Sequence, residues 1–155
     1  MSAPTGETPW AAYRFVVDVA GSDADGVIHL HNLSIAELLF EARNAYVTEG
    51  VGISWESLAE SGRSLILRRL EVDFEQEVAA GVALKVGVRA AARSRRTLTF
   101  HESVWRVDPP VTIAVARSLH LVVNTDAHGA IELPRDILAR FEAYEGLPLT
   151  GPPDW

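Results

Sequence analysis

Two acidic residues, Asp23 and Asp25, stand just ahead of Gly26 and of the histidines His29 and His31, and the run closes on Asn32. Carboxylates in such a place can take a proton from water or attack a carbonyl directly. Imidazoles two apart on an extended segment share a face, which is the start of a metal site. Each feature has an ordinary counterpart: Asp before Gly is a common turn, loop histidines are commonly exposed, and two ligands without a third hold no metal. The segment that follows gives the turn its interest. From Ser34 onward the polar residues Ser34, Glu37, Glu41, Asn44 and Thr48 alternate steps of three and four, one narrow stripe along a helix. Ile35, Leu38, Leu39, Phe40, Ala42, Tyr46 and Val47 cover the remaining circumference, so the spacing predicts a helix enclosed on most sides, with Arg43 the exception. An acidic, Gly-containing turn at a buried helix N-terminus meets unpaired backbone N–H groups and the positive end of the helix dipole. Asn32 and Ser34 compete for the N-cap, Ser34 with Glu37 in capping-box spacing.

Other candidates lie further along. Glu41 is a second carboxylate, on the polar stripe of the helix, where a solvated or interface role is the ordinary reading. Arg93, Arg95 and Arg96 form the one basic cluster, which by itself reads as a hairpin turn of solvated charge. His101 and His120 fall within strands and read as satisfied sheet residues.

The chain must position these groups within one domain, since 155 residues bury about two-thirds of the unfolded surface in a single core. A net charge of −7 disfavours nucleic acid as a partner. The absence of cysteine excludes disulfides, thiolate metal sites and a cysteine nucleophile. No window reaches 18 uninterrupted apolar residues and the N-terminus lacks the basic start and apolar core of a signal peptide, so the expectation is a soluble, cytoplasmic chain with no membrane partner.

Residues 13–19 have strand composition, Gly50 and Gly52 stop the long helix, and residues 54–61 fit a further short helix. The period then changes to two over residues 64–78, 81–94, 97–107 and 112–123, with an irregularity around Arg68 and Arg69. Residues 134–144 suit a closing helix, and residues 1–12 and 146–155 read as loose ends. Strand, long helix and four antiparallel strands describe an α+β fold in which a meander holds the helix in its concave face.

Four landmarks in this order resemble the hotdog-fold acyl-thioester hydrolases of the 4-hydroxybenzoyl-CoA thioesterase type. They are Asp23-Ala24-Asp25-Gly26-Val27 with Asn32, then Phe40-Glu41-Ala42-Arg43 with Tyr46, then Arg95-Arg96-Thr97-Leu98-Thr99-Phe100, and last Asp126 and Gly129 with Ile131-Glu132-Leu133-Pro134. The likeness spans residues 13–141. It implies a hotdog fold, with a long central helix wrapped by a five-stranded antiparallel sheet, and hydrolysis of an acyl-CoA or acyl-carrier-protein thioester without metal or cofactor. It implies Asp23 as nucleophile or general base, Gly26 as the place of close backbone approach, the Leu30 N–H as carbonyl donor, and Asn32 as a group orienting the turn. His29 and His31 then line the substrate, Arg95 and Arg96 meet the CoA phosphates, and the chain forms a homodimer or homotetramer. The sequence departs from the family at Leu30 and Leu33, where members often carry a His and an aromatic residue, which leaves the substrate-facing wall open to remodelling. A hotdog dehydratase or hydratase, and a non-catalytic acyl-thioester binding module, are the alternatives.

Overall fold

A computed structural model of the chain describes residues 7–20, 32–126 and 129–151. A 3-10 turn at Pro9–Ala12 precedes β1 (Phe15–Ala20); α1 (Asn32–Ala45) follows, continued by a wider turn of helix at Tyr46–Gly50. Next come α2 (Trp55–Glu60), β2 (Arg63–Phe74), β3 (Ala83–Arg93), β4 (Thr97–Arg106), β5 (Val111–Asn124) and α3 (Arg135–Glu145).

The five strands form one antiparallel sheet in the order β1-β3-β4-β5-β2. The α+β hotdog architecture is therefore present, with one correction to the expected path. β3, β4 and β5 are a meander, but β2 does not pair with β3; it crosses to the far edge and pairs with β5. The composition of the strands accounts for this. β2 carries Arg68, Arg69, Glu71 and Asp73 and is exposed along much of its length, as suits an edge. β3, β4 and β5 alternate buried apolar residues and belong in the middle. The expected irregularity is a bulge: Leu67 pairs with His120 and Arg69 with Leu119, leaving Arg68 between them.

α1 lies across the concave face, burying Ile35, Leu39, Ala42 and Arg43. The alternation of β4 and β5 supplies the facing wall, through Leu98, Phe100, Glu102 and Val104 from one strand and Ala114, Ala116, Ser118, His120 and Val122 from the other, all buried. Enclosure of α1 is narrower than the spacing predicted. Leu33 is 78% exposed and Phe40 57%, so one apolar side of the helix is left uncovered among the described residues. Asn32 is the first described residue of α1 and is helical.

Tyr46 closes the C-terminal end of α1. Its ring meets Phe15, Phe100, Phe141 and Tyr144 at centroid distances of 5.2 to 5.9 Å. Its hydroxyl donates to Glu145 (2.6 Å) and accepts from the Ala90 N–H (2.9 Å). Gly50 sits against this cluster because a Cβ there would lie 2.9 Å from the Phe15 ring.

Both described ends of the chain are packed, where composition alone pointed to loose segments. Trp10 and Tyr13 make edge contacts with Trp105, and the arm lies so close that a Cβ on Gly87 would meet both Trp105 and Tyr13 inside 3 Å. At the other end Leu149 is buried, and the Arg93 N–H donates to the Thr150 carbonyl.

Candidate active site

Asp23, Gly26, His29, Leu30 and His31 lie outside the described residues. Asn32 is exposed, at the start of α1. Arg95 and Arg96 are exposed in the turn between β3 and β4, where Arg95 pairs with Glu132 through two N–H groups and its carbonyl accepts from the Leu133 N–H. Glu41, the alternative carboxylate, is exposed on α1. Where the turn carboxylate stands relative to the basic turn therefore lies outside the described residues.

The described residues bring together a polar cluster in the core. Arg43, one turn before Tyr46, points into the sheet and donates to Glu102 at 2.7 Å; the two side chains are 8% and 0% exposed. Glu102 is on the helix-facing side of β4, and its second oxygen, Oε2, makes no well-formed hydrogen bond among the described residues, although the Ser118 hydroxyl is close enough to act on the carboxylate. On the neighbouring strand the His120 Nε2 and Ser118 Oγ are 2.9 Å apart, and the imidazole lies 4.3 Å from the Phe100 ring. Burial pushes the Glu102 carboxyl above the ordinary glutamate range, opposed by the Arg43 guanidinium and the Ser118 hydroxyl. Burial, reinforced by Arg43, carries His120 down to about 3, so the imidazole is neutral.

This cluster borders a cavity of 110 Å³ lined by Phe40, Arg43, Asn44, Val47, Trp55, Leu65, Leu67, Phe100 and His120. Phe40, Trp55 and Leu67 are partly exposed at its edge. An apolar recess with a few polar groups at one end is the usual form of a small-molecule site.

Among the described residues no cluster of three His, Asp or Glu is placed to hold a metal ion. The His120–Ser118 bond agrees with the expectation of a satisfied sheet histidine. His101 differs: among the described residues its Nε2 is buried without a hydrogen-bond partner, and burial with the nearby Arg89 and Arg117 lowers its pKa.

The helix-across-sheet geometry and the sequence pattern of residues 23–46 converge on one family, and the chain matches the thioesterase-like superfamily over residues 19–141. The chain belongs to the thioesterase-like superfamily. Solved structures share its fold at low identity. A Staphylococcus aureus protein in complex with CoA superposes with a TM-score of 0.77 at 12% identity, covering 91% of this chain and 88% of its own. A 1,4-dihydroxy-2-naphthoyl-CoA thioesterase from Synechocystis gives 0.73 at 16% identity, covering 82% and 94%. A Thermus thermophilus thioesterase complexed with coenzyme A and zinc gives 0.74 at 24%, covering 90% and 99%. No curated protein sequence matches the chain.

Glu102, Ser118 and the inward role of Arg43 are what the residue pattern did not disclose. The signal was present in β4 and β5. Glu102 falls in phase with Leu98, Phe100 and Val104, and Ser118 and His120 in phase with Ala114, Ala116 and Val122. A polar residue in the apolar phase of a central strand marks a partnered or functional group.

Proposed function

We propose that the protein hydrolyses an acyl-CoA thioester to the free acid and CoA thiol, with Asp23 as the reacting carboxylate. The observation that carries this reading is the superfamily match over residues 19–141, which spans the whole Asp23-to-Asn32 stretch. In the general-base form, Asp23 takes a proton from water as its oxygen bonds to the thioester carbon. The carbonyl oxygen becomes an oxyanion held by the Leu30 N–H at the helix start, where fixed backbone donors contribute most. Collapse restores the carbonyl, breaks the C–S bond and returns a proton to the leaving thiolate. In the nucleophilic form Asp23 attacks first and water opens the acyl anhydride. Gly26 gives the backbone room to approach the substrate, Asn32 orients the turn, and His29 and His31 line the acyl group. Arg95 and Arg96 contact the nucleotide phosphates, Arg95 exchanging Glu132 for phosphate as it does so.

The reading includes a homodimer or homotetramer. β2 is a free edge, and Phe40, Trp55 and Leu67 present apolar surface beside it, which a second copy would cover. CoA-bound relatives of the same fold support CoA over a carrier protein.

Thiol release from matched acyl-CoA, acyl-pantetheine and acyl-carrier-protein substrates tests the reading. The chain contains no cysteine and adds no background to a thiol reagent. Turnover of acyl-CoA above the other two is expected. Acyl-CoA that binds but is never cleaved would replace the enzyme with a binding module.

A further inference from the structure

We propose that the face of the sheet turned away from α1 binds a compact monocarboxylate, held by His101, Ser103 and Arg117 of the central strands, with Arg89 beside them and Tyr13 of the N-terminal arm above. Strand register builds the site. Phe100, Glu102 and Val104 face α1, so His101 and Ser103 point the other way. His101 lies opposite Arg89 on β3 and opposite Arg117 on β5, and Arg117 lies opposite Glu71 on β2. One transverse row therefore reads Arg89, His101, Arg117, Glu71. The next row holds Gly87, Ser103, Val115 and Asp73. Having no side chain, Gly87 leaves room for Tyr13 to fold over the sheet. A cavity of 270 Å³ opens over these rows, bordered by Tyr13, Glu71, Asp73, His101, Ser103 and Arg117.

Hydrogen bonding shows what the cavity lacks. Arg89 Nε and His101 Nε2 are buried and make no hydrogen bond among the described residues. Buried donors in that condition are costly and uncommon, and one acceptor oxygen seated between them would satisfy both. Tyr13 and Ser103 add to the donors. Their hydroxyl oxygens are 3.1 Å apart and share one hydrogen bond, so one O–H of the two remains to be donated. The Arg89 guanidinium is held under the Tyr13 ring, 5.4 Å from its centroid, which fixes it beside His101.

Charge and size select the ligand. Arg69 meets Glu71 at 2.5 Å and Arg117 meets it at 4.0 Å. Burial first, and then the Arg89 and Arg117 charges, lower the pKa of His101, so the ring is neutral at pH 7. Three guanidinium groups (Arg69, Arg89, Arg117) against two carboxylates (Glu71, Asp73) leave one positive charge. A monoanion balances it, whereas a phosphate dianion would turn the site negative beside Glu71 and Asp73. The Tyr13 ring and Val115 form an apolar wall that suits a hydrocarbon body behind the carboxylate. The volume exceeds the roughly 150 Å³ that takes up benzene, so a six-membered ring with its carboxylate fits.

The test titrates the full chain with cyclohexanecarboxylate, its neutral carboxamide and inorganic phosphate. NMR follows the imidazole signals, His101 being identified by its loss in His101→Gln. The carboxylate is expected to shift the His101 signals saturably and to move that ring's titration to higher pH, because a bound anion favours the protonated imidazole. The carboxamide and phosphate should bind about tenfold more weakly or worse. Arg117→Met and Arg89→Met should each weaken carboxylate binding by about tenfold. Ser103→Ala, which removes one hydroxyl, should weaken it severalfold and serves if an arginine variant fails to fold. An unmoved His101, a carboxamide or phosphate that binds as well as the carboxylate, or an affinity unchanged in the variants would overturn the site. Thiol release from acyl-CoA is a separate measurement, so the thioesterase reading stands or falls independently of these outcomes.

Discussion

Arg43 and Tyr46 sit three residues apart on the same inward-facing side of one helix, yet their surroundings differ. Around Tyr46 everything is matched: four aromatic rings enclose it, and its hydroxyl both donates and accepts. Around Arg43 the match is partial. Among the described residues its carboxylate partner keeps one oxygen without a well-formed hydrogen bond, a buried neutral histidine stands nearby, and a cavity opens beside it. A folded core has no need of the second arrangement, since well-packed apolar residues are at least as stable as a buried ion pair. The difference teaches how one helix divides its work: the closed end of α1 is spent on packing, while the polar, hollow side keeps groups that packing does not use.

The comparison breaks most visibly at the ion pair. Glu102→Leu leaves Arg43 buried without its carboxylate and is expected to cost about 3–5 kcal/mol in denaturant unfolding. Adding Arg43→Met should recover most of that loss, because no unpaired charge remains. If the single and double variants were equally unstable, the pair would be filling space and not balancing charge.

The pH dependence of stability sharpens it next. The native pKa of His120 is about 3 against 6.5 in the unfolded chain, so only the unfolded state gains this proton as pH falls below 6.5. Its contribution is complete above pH 6.5 and declines as pH drops toward 3, by roughly 3 kcal/mol at pH 4.5. Glu102, raised by burial, works in the opposite direction and tempers the net slope. Melting temperatures of the native protein and His120→Asn between pH 7 and 4.5 should therefore converge on acidification; parallel curves would mean that His120 titrates normally.

Tyr46→Phe gives the smallest effect. It removes one hydroxyl from a satisfied network and leaves Ala90 and Glu145 to each other, 3.3 Å apart. A loss of about 1–2 kcal/mol is expected by thermal or urea unfolding. A larger loss than that of Glu102→Leu would reverse the ranking of the two regions.

Much of this was readable beforehand. The period of two located β2 to β5, the three-and-four spacing located α1, and the disturbance at Arg68 marked the bulge. Strand order was not readable, because pairing of β2 with β5 is a long-range choice that no local pattern records. The exposure of Phe40 is not legible for a related reason: an apolar residue looks the same in the sequence whether its own fold covers it or leaves it bare. Glu102 was hidden by its alternation with apolar neighbours, and only the placement of Arg43 opposite it gives the residue meaning. The turn at Asp23 rests on motif and superfamily, since residues 21–31 lie outside the described structure.

That turn is where the account is most directly tested. Thiol release from the best acyl-CoA should fall by roughly a hundredfold or more in Asp23→Asn, with substrate binding kept, while Glu41→Gln, altering an exposed carboxylate on α1, stays near the native rate. Native-like turnover in Asp23→Asn together with loss in Glu41→Gln would move the reacting carboxylate to the helix and contradict the assignment.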